Sequence, residues 1–282
     1  MGYNITIMAK NKNNVIILFG NQKGGVGKST LCALFANFLL KKKKDVCIID
    51  TDNQKTLYGL RNEETPIVGQ AIKEQIDKDI KKIEAKIAKL DTKRNAAKIK
   101  DLNIQKQILE KKKNEDYEPP YDVAGLNIDD SKATAQVLKS IESEPGFFLI
   151  DAPGNPKEQG LFPIFDAADY IIVPFQYHRG TFRSTEEYAK AIRLIGESGQ
   201  AKVHAKFIFV PNRIDSRMGT ATDEDDMDDK DDILANYGVV TPEINYKKCV
   251  IGYNTLELTP DQNEAVRYPF NAVLKEIRKS KK

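Results

Sequence analysis

The chain of 282 residues has no tryptophan, two histidines and three cysteines, Cys32, Cys47 and Cys249. No two cysteines stand at metal-ligand spacing, and an odd count is a poor disulfide framework. With so few histidines, a zinc site is not expected. A reducing cytoplasm is the compartment that fits. No apolar run approaches the roughly 20 residues that cross a bilayer, and the opening "MGYNITIM" lacks the basic start of a signal peptide. Neither charge sign dominates: 44 Lys and Arg against 41 Asp and Glu leave a net charge of +3. That total neither demands nor excludes nucleic acid. It hides clustering, because lysines crowd 41–44, 78–113 and 275–282 while acids crowd 223–232.

Short apolar runs stand in place of long ones. "NVIILFG" (14–20), "DVCIID" (45–50), "GFFLID" (146–151), "YIIVPF" (170–175) and "KFIFVP" (206–211) have the length and β-branched content of buried strands. After the first, "STLCALFANFLLKKKK" repeats Leu31, Leu34, Phe35, Phe38 and Leu39 at helical spacings of three and four. Further helices are expected near 132–143, 157–168, 184–197, 230–237 and 262–279, the last interrupted or restarted at Pro269. Strands alternating with helices predict the α/β class, a mostly parallel twisted sheet with helices on both faces.

Residues 70–113 lack proline and glycine altogether. Ile76, Ile80, Ile83, Ile87, Leu90, Ala97, Ile104 and Ile108 fit one 4-3 heptad stripe, interrupted by Arg94 and Asp101. The pattern predicts a long helix, or an antiparallel helical hairpin turning near 91–96. It would form an arm inserted in a single domain that spans 1–282. The paired prolines of "EDYEPPY" (115–121) end it. A solvated arm with a narrow apolar seam is the simpler reading; a partner-docking device is the other. The acidic block "TDEDDMDDKDD" (222–232) reads as a loop leading into a helix, and its spacing is not that of an EF-hand.

"GNQKGGVGKST" (20–30) lies between the first strand and the first helix. Gly24, Gly25 and Gly27 let successive backbone N–H groups converge, and Val26 sits among them. Ser29 and Thr30 open the helix, whose N-terminus favours anions. Lys28 is placed to bridge phosphate oxygens, and the Ser29 hydroxyl to ligate Mg²⁺. The strict P-loop pattern has a glycine where Gln22 stands, and Lys23 is a second lysine with no place in it.

"QKGGVGKST" resembles the deviant Walker A motif of the ParA/MinD family of ATPases, P-loop NTPases in which the early lysine reaches a nucleotide held by the partner subunit. The resemblance continues along 14–60 and 120–280. "VCIIDTDNQKTLYGL" (46–60) is similar to the family's D-x-D-P-Q segment, with Asn53 in place of proline. "FFLIDAPG" (147–154) looks like Walker B, with Gly154 where a second proline is usual. "FIFVPNRID" (207–215) resembles the strand that ends in Asn-Lys or Asn-Arg. The resemblance implies Lys23, Lys28 and Asp52 as catalytic residues, Asp52 acting on the attacking water. Gly24, Gly25, Val26, Gly27, Lys28, Ser29, Thr30 and the adenine-reading Asn212 would bind ATP, and Ser29, Asp50 and Asp151 would serve Mg²⁺. Gln176, Tyr177 and His178 are weaker candidates.

The function implied is a ParA-type partitioning ATPase. It would dimerise on ATP, bind DNA without sequence preference and work with a ParB-like activator on plasmid or chromosomal DNA, in a cytoplasmic or nucleoid-associated setting. Arg217, Lys247 and Lys248 lie near the family's DNA-contact region. The alternative is a MinD-like membrane switch, for which Phe270, Val273, Leu274 and Ile277 supply an apolar stripe beside lysines. A core-facing terminal helix gives the same pattern, so membrane binding is not expected. The 70–113 arm has no counterpart in the compact family members. A metal-cluster relative would need interface cysteines, which Cys32 and Cys47 do not provide.

Overall fold

A computed structural model describes residues 14–215 and 221–280. The chain packs as two compact units, one from the described residues of 1–59 and 121–282, the other from 60–120.

The larger unit is built on parallel strands. β1 (Asn14–Phe19) lies centrally, between β4 (Gly146–Asp151) and β5 (Tyr170–Phe175). β2 (Val46–Asp50) and β3 (Asp122–Gly125) extend the sheet beyond β4. β6 (Lys206–Ile214) and β7 (Gly238–Val240) extend it beyond β5, and a two-residue β8 (Ile244–Asn245) pairs with β6. Every pairing is parallel. All five strands expected from the apolar runs are present. The sequence pattern passes over β3 and β7, which are short and carry exposed or half-buried residues, and over β8, whose two residues are too few to form an apolar run.

Both faces of the sheet are covered, and β1 shows why its run is unbroken. Val15, Ile17 and Phe19 join a core cluster with α1 (Lys28–Lys41) and α9 (Pro260–Ser280). Ile16 and Leu18 join a second cluster with α5 (Phe162–Ala167) and α6 (Arg179–Glu197). Strand side chains alternate, so both sets must be apolar. α4 (Ser131–Ile141), capped by Asp130 accepting from the Lys132 and Ala133 amides, precedes β4. α7 (Ala221–Ala235) and the short α8 (Lys248–Ile251) follow β6 and β8 respectively. The acidic block (222–232) is therefore helical throughout and does not form the expected loop. Its end is tied down where the Tyr177 hydroxyl donates to Asp231 at 2.9 Å and Leu234 is buried.

α9 runs through Pro269 without a break. Its Phe270, Val273, Leu274 and Ile277 are buried, with Phe270 edge-on to Phe35 at 5.0 Å and to Phe38 at 5.5 Å. The apolar stripe that could have served a membrane is spent on the core. No helix among the described residues is long and apolar enough to cross a membrane.

The 60–120 unit is an antiparallel hairpin. Its first helix is the distal part of α2 (Thr56–Ala88), which begins well before the expected arm, and its second is α3 (Ala96–Lys113). Lys106 meets Glu84 at 2.6 Å and Lys113 meets Asp77 at 2.6 Å. Seven residues forward on one helix are matched by seven residues back on the other, the signature of antiparallel pairing. Ile76 and Ile83 are buried as the stripe predicts, but Ile104 and Ile108 are exposed. On α3 the half-buried face is Ile99, Leu102, Lys106 and Leu109. The turn between the helices resets the phase, so one heptad register cannot be carried across it.

Truncating Phe270 tests the role of the stripe. Phe270→Ala should cost about 3–5 kcal/mol, the usual penalty for emptying a buried aromatic site. The readout is the urea midpoint at unchanged slope; an unaltered midpoint would place the stripe outside the core.

Candidate functional site

Parallel pairing sets the floor of the site. In register, Asp151 is the Cα partner of both Phe19 and Asp50. The tips of β1, β2 and β4 are therefore level, and the two carboxylates stand side by side at the carboxyl ends, where open parallel sheets bind ligands.

The loop leaving β1 is fixed from two sides. Asn21 is fully buried, and its Nδ2 donates to the Pro174 carbonyl and to the Thr185 hydroxyl oxygen, both at 2.8 Å. Its Oδ1 accepts from the Lys23 amide at 3.1 Å, a local turn that asparagine makes readily. From the other side, Asn212 Nδ2 donates to the Val26 carbonyl at 2.8 Å and Arg213 Nη1 to the Gly25 carbonyl at 2.7 Å. Arg213 sits at a register irregularity of β6 with φ of 58°, a left-handed conformation that costs a non-glycine residue energy. That irregularity places consecutive residues 212 and 213 on one loop. The sequence assigns no role to Asn21 and includes Arg213 only as the arginine of an Asn-Arg strand end; an asparagine at a strand exit is the available signal for the first.

Gly27 must be glycine twice over. Its φ is 103°, and a Cβ there would lie 2.3 Å from Asn212 Nδ2. It precedes α1, which starts at Lys28 with no side-chain cap and no acid in its first turn. The first intrahelical bond is Leu31 N to Gly27 O at 2.8 Å, so the amides ahead of Leu31 have no carbonyl within the helix. An uncapped N-terminus behind a glycine loop suits an anion. Lys28 and Ser29 are half-buried and Thr30 is buried, whereas Lys23, Gly24 and Gly25 are exposed. Gly154, the departure from the Walker B pattern, lets the chain pass the Gln22 carbonyl: a Cβ would sit 3.1 Å from it.

The acids differ in what they hold. Asp50 is buried and already occupied, taking the Leu57 and Tyr58 amides on Oδ2 at 2.8 and 3.0 Å and the Asp52 amide on Oδ1 at 3.2 Å. Burial raises its carboxyl above the ordinary range, the three amides draw it back, and the Asp52 charge adds to the rise. Asp52 is half-buried and accepts from the Gln54 amide at 2.9 Å. Asp151 is fully buried, and neither of its carboxylate oxygens has a settled hydrogen-bond partner. Burial pushes it up to about 7; Ser29 and Lys28 favour its charged form, and Asp50 and Asp52 oppose it. A buried, underused carboxylate beside a serine and two further acids is a place that asks for a cation. Among the described residues no three His, Cys, Asp or Glu side chains form a ready metal cage. Mg²⁺ keeps water and phosphate oxygens as ligands and does not require such a cage.

Other candidates fall elsewhere. Asn212 has its Nδ2 committed to the loop, leaving a buried Oδ1 without a partner. Tyr177 is tied to Asp231, and His178 is exposed at the start of α6. Lys247 and Lys248 are exposed at α8. Arg217 lies outside the described residues. Cys32 is buried in α1, where burial and the nearby Asp151 and Asp50 hold its thiol well above the ordinary range, so it is inert.

The Asp151 proton has a measurable consequence in the nucleotide-free protein. Between its ordinary value of 3.8 and about 7, the unfolded chain loses this proton while the folded chain keeps it. Stability from this group is therefore full at low pH and is lost as pH rises through 7, by at most on the order of 4 kcal/mol. Asp151→Asn should flatten the fall in urea midpoint between mildly acidic and mildly alkaline buffer. An identical pH slope in both proteins would show that the carboxyl ionises normally.

The profile of the CobQ/CobB/MinD/ParA nucleotide-binding domain matches residues 17–252. A sequence comparison with curated proteins gives no match. Several solved structures share the fold. An ATP complex of McdA from Cyanothece aligns with a TM-score of 0.60 at 14% identity, covering 94% of this chain and 97% of that one. A plasmid partition protein from Borrelia burgdorferi, bound to AMPPNP, aligns at 0.55 and 17% identity, covering 94% and 100%. Cobyrinic acid a,c-diamide synthase from Mycobacterium smegmatis, with ADP and magnesium, aligns at 0.57 and 17% identity, covering 94% and 96%. With the glycine loop, the level acidic strand tips and this profile in agreement, the chain belongs to the CobQ/CobB/MinD/ParA nucleotide-binding family of ATPases.

Proposed function

We propose that the protein is a ParA-type ATPase that binds ATP with Mg²⁺, closes as a nucleotide-sandwich dimer, and moves plasmid or chromosomal DNA with a ParB-like activator. The observation that carries this reading is the second lysine. Lys23 is exposed at the start of the glycine loop, with its backbone fixed by buried Asn21. A cation held at the rim and pointing into solvent suits a phosphate on another subunit, while Lys28 serves the phosphates of its own. Neighbours of similar fold that hold ATP, AMPPNP, or ADP with magnesium support the choice of ligand.

Each residue has a task in this reading. The loop amides and the first turn of α1 bind the phosphate chain, and Lys28 neutralises its terminal oxygens. Ser29 and Asp151 would hold Mg²⁺, directly or through its water, with Asp50 in the outer shell. When bound, that ion supplies charge neutralisation on the phosphates. Asp52 positions the attacking water, and Asp50 positions Asp52 through its amide. Phosphoryl transfer depends on placement more than on a strong base, so a modestly basic carboxylate is sufficient. Asn212 is assigned to the adenine edge through its free Oδ1. The MinD-like membrane reading loses its support, since the stripe on α9 is buried.

Three substitutions separate these tasks. Lys28→Ala should abolish nucleotide binding by calorimetry. Lys23→Ala should bind ATP as a monomer yet lose dimerisation and most turnover, by roughly a hundredfold or more, as for a charge that acts on the transition state. Wild-type turnover in that variant would remove the role across subunits. Asp52→Ala should accumulate an ATP-bound dimer in sedimentation, and rapid hydrolysis by it would reject its place beside the water.

A further inference from the structure

We propose that the lysine-rich outer face of the 60–120 hairpin is a docking surface for the phosphate backbone of double-stranded DNA, without sequence preference. This rests on the DNA-binding part of the reading above and assigns the contact to the hairpin. Lys247 and Lys248 then have at most a minor share.

The weakly basic total conceals where the charge is. Residues 70–113 hold thirteen lysines and one arginine against seven acids, a net of +7 in a chain whose total is +3. Five flanking acids of the same unit, Glu63, Glu64, Glu115, Asp116 and Glu118, against Arg61 bring 60–120 to +3 and leave the rest of the chain neutral, so the basic character belongs to 70–113 itself. Four of the hairpin's cations are paired with acids: Lys73, Lys82, Lys106 and Lys113. Among the described residues the other ten carry no ion pair, and all ten are exposed.

Their placement is ordered. At about 100° per residue, Lys78, Lys81, Lys82 and Lys86 fall in one sector of α2, and Lys89 continues it just past the helix end. Ile76, Ile80, Ile83 and Ile87 fall on the opposite side. The apolar face makes the hairpin seam; the lysine face has no partner in the unit. Exposed like charges one turn apart repel each other and weaken a helix, so their concentration here makes physical sense when a polyanion meets them.

The chemistry of the face narrows the polyanion. Single-stranded nucleic acid is held by aromatic side chains that stack on bases, and 70–113 contains no aromatic residue. Base-edge readout combines arginine or lysine on guanine with amide side chains on adenine, whereas the sector from Lys78 to Lys89 carries no arginine and no amide. Interfacial membrane helices bury a bulky apolar face opposite their basic one, and here that face, Ile76, Ile80, Ile83 and Ile87, is taken up in the seam. A rigid row of lysines matches a regular line of duplex phosphates.

The test uses the full-length protein with Lys78→Gln, Lys81→Gln, Lys86→Gln and Lys89→Gln combined, and a second variant with Lys247→Gln and Lys248→Gln. Anisotropy of a labelled random duplex of roughly 25 base pairs, followed across a salt series, reads the affinity and its salt slope. The quadruple variant should bind at least roughly tenfold more weakly, with a slope shallower by about 3 to 4, near 0.9 per lost phosphate contact. The double variant should change little. Circular dichroism confirms that the helices persist, and ATP turnover is measured in the same preparations. Duplex affinity unchanged in the quadruple variant overturns the proposal. So does a wild-type protein that ignores duplex but pellets with phosphatidylglycerol vesicles. In either case intact turnover leaves the nucleotide-site reading standing, while loss of turnover in Lys28→Ala tests that reading alone.

Discussion

The site depends on a short loop held open by side-chain amides and a guanidinium. Asn21 reaches to β5 and α6, while Asn212 and Arg213 reach to the loop's carbonyls from β6. Because Val26 and Gly25 give their carbonyls to these donors, the backbone of this glycine-rich stretch is fixed by tertiary contacts. Glycines supply the conformation and the clamps remove the freedom that glycine would otherwise keep. Preorganised donors act on a ligand without paying for reorganisation when charge develops.

Around that loop the electrostatics are unbalanced in the absence of a ligand. Three carboxylates lie near Lys28, whose charge offsets them only in part, and the most buried of them, Asp151, retains a proton up to about neutral pH. A divalent cation arriving with a phosphate chain would reverse both deficits: it would give Asp151 a counter-charge, and the phosphates would meet Lys28 and the uncapped helix. Asp50 cannot be exchanged freely for the others, because it caps the first turn of α2 as well as fixing the Asp52 amide. One acid is structural at its oxygens, one is buried without a settled partner, and one is half-buried at the edge of the site. The sequence motif that contains two of them does not distinguish these tasks.

Much of the site was readable before the fold. A continuous apolar run ending in an acid reads as a parallel strand tip, and the register Asp50–Asp151 follows from two such runs pairing side by side. The glycine spacing and the helix after it mark the anion end of α1. What the sequence concealed was of another kind. Asn21 is one polar residue at the end of a strand, and nothing local says that its amide is buried. Arg213 depends on an irregularity in β6 that no periodicity announces. β3 is an edge strand whose exposed residues lack an apolar run. On α3, Ile104 and Ile108 were apolar at the right spacing and yet exposed, because the turn shifted which face meets α2.

Charge makes the same point at the scale of the chain. Net charge is a sum, and a sum near zero is compatible with either an even surface or two strongly opposed regions. Here the acidic block of α7 and the basic hairpin are far apart in sequence and lie in different units. Phosphates are felt over about a Debye length, roughly 8 Å at physiological salt. A polyanion therefore responds to the local row of lysines and hardly to the chain total. The nucleotide-binding unit is neutral in sum, with 29 cations against 29 acids, so the contrast lies between the lysine row and its surroundings and not between two oppositely charged units. Local clustering of this kind lets a chain of near-zero net charge carry a basic helix face and a pair of acidic strand tips together.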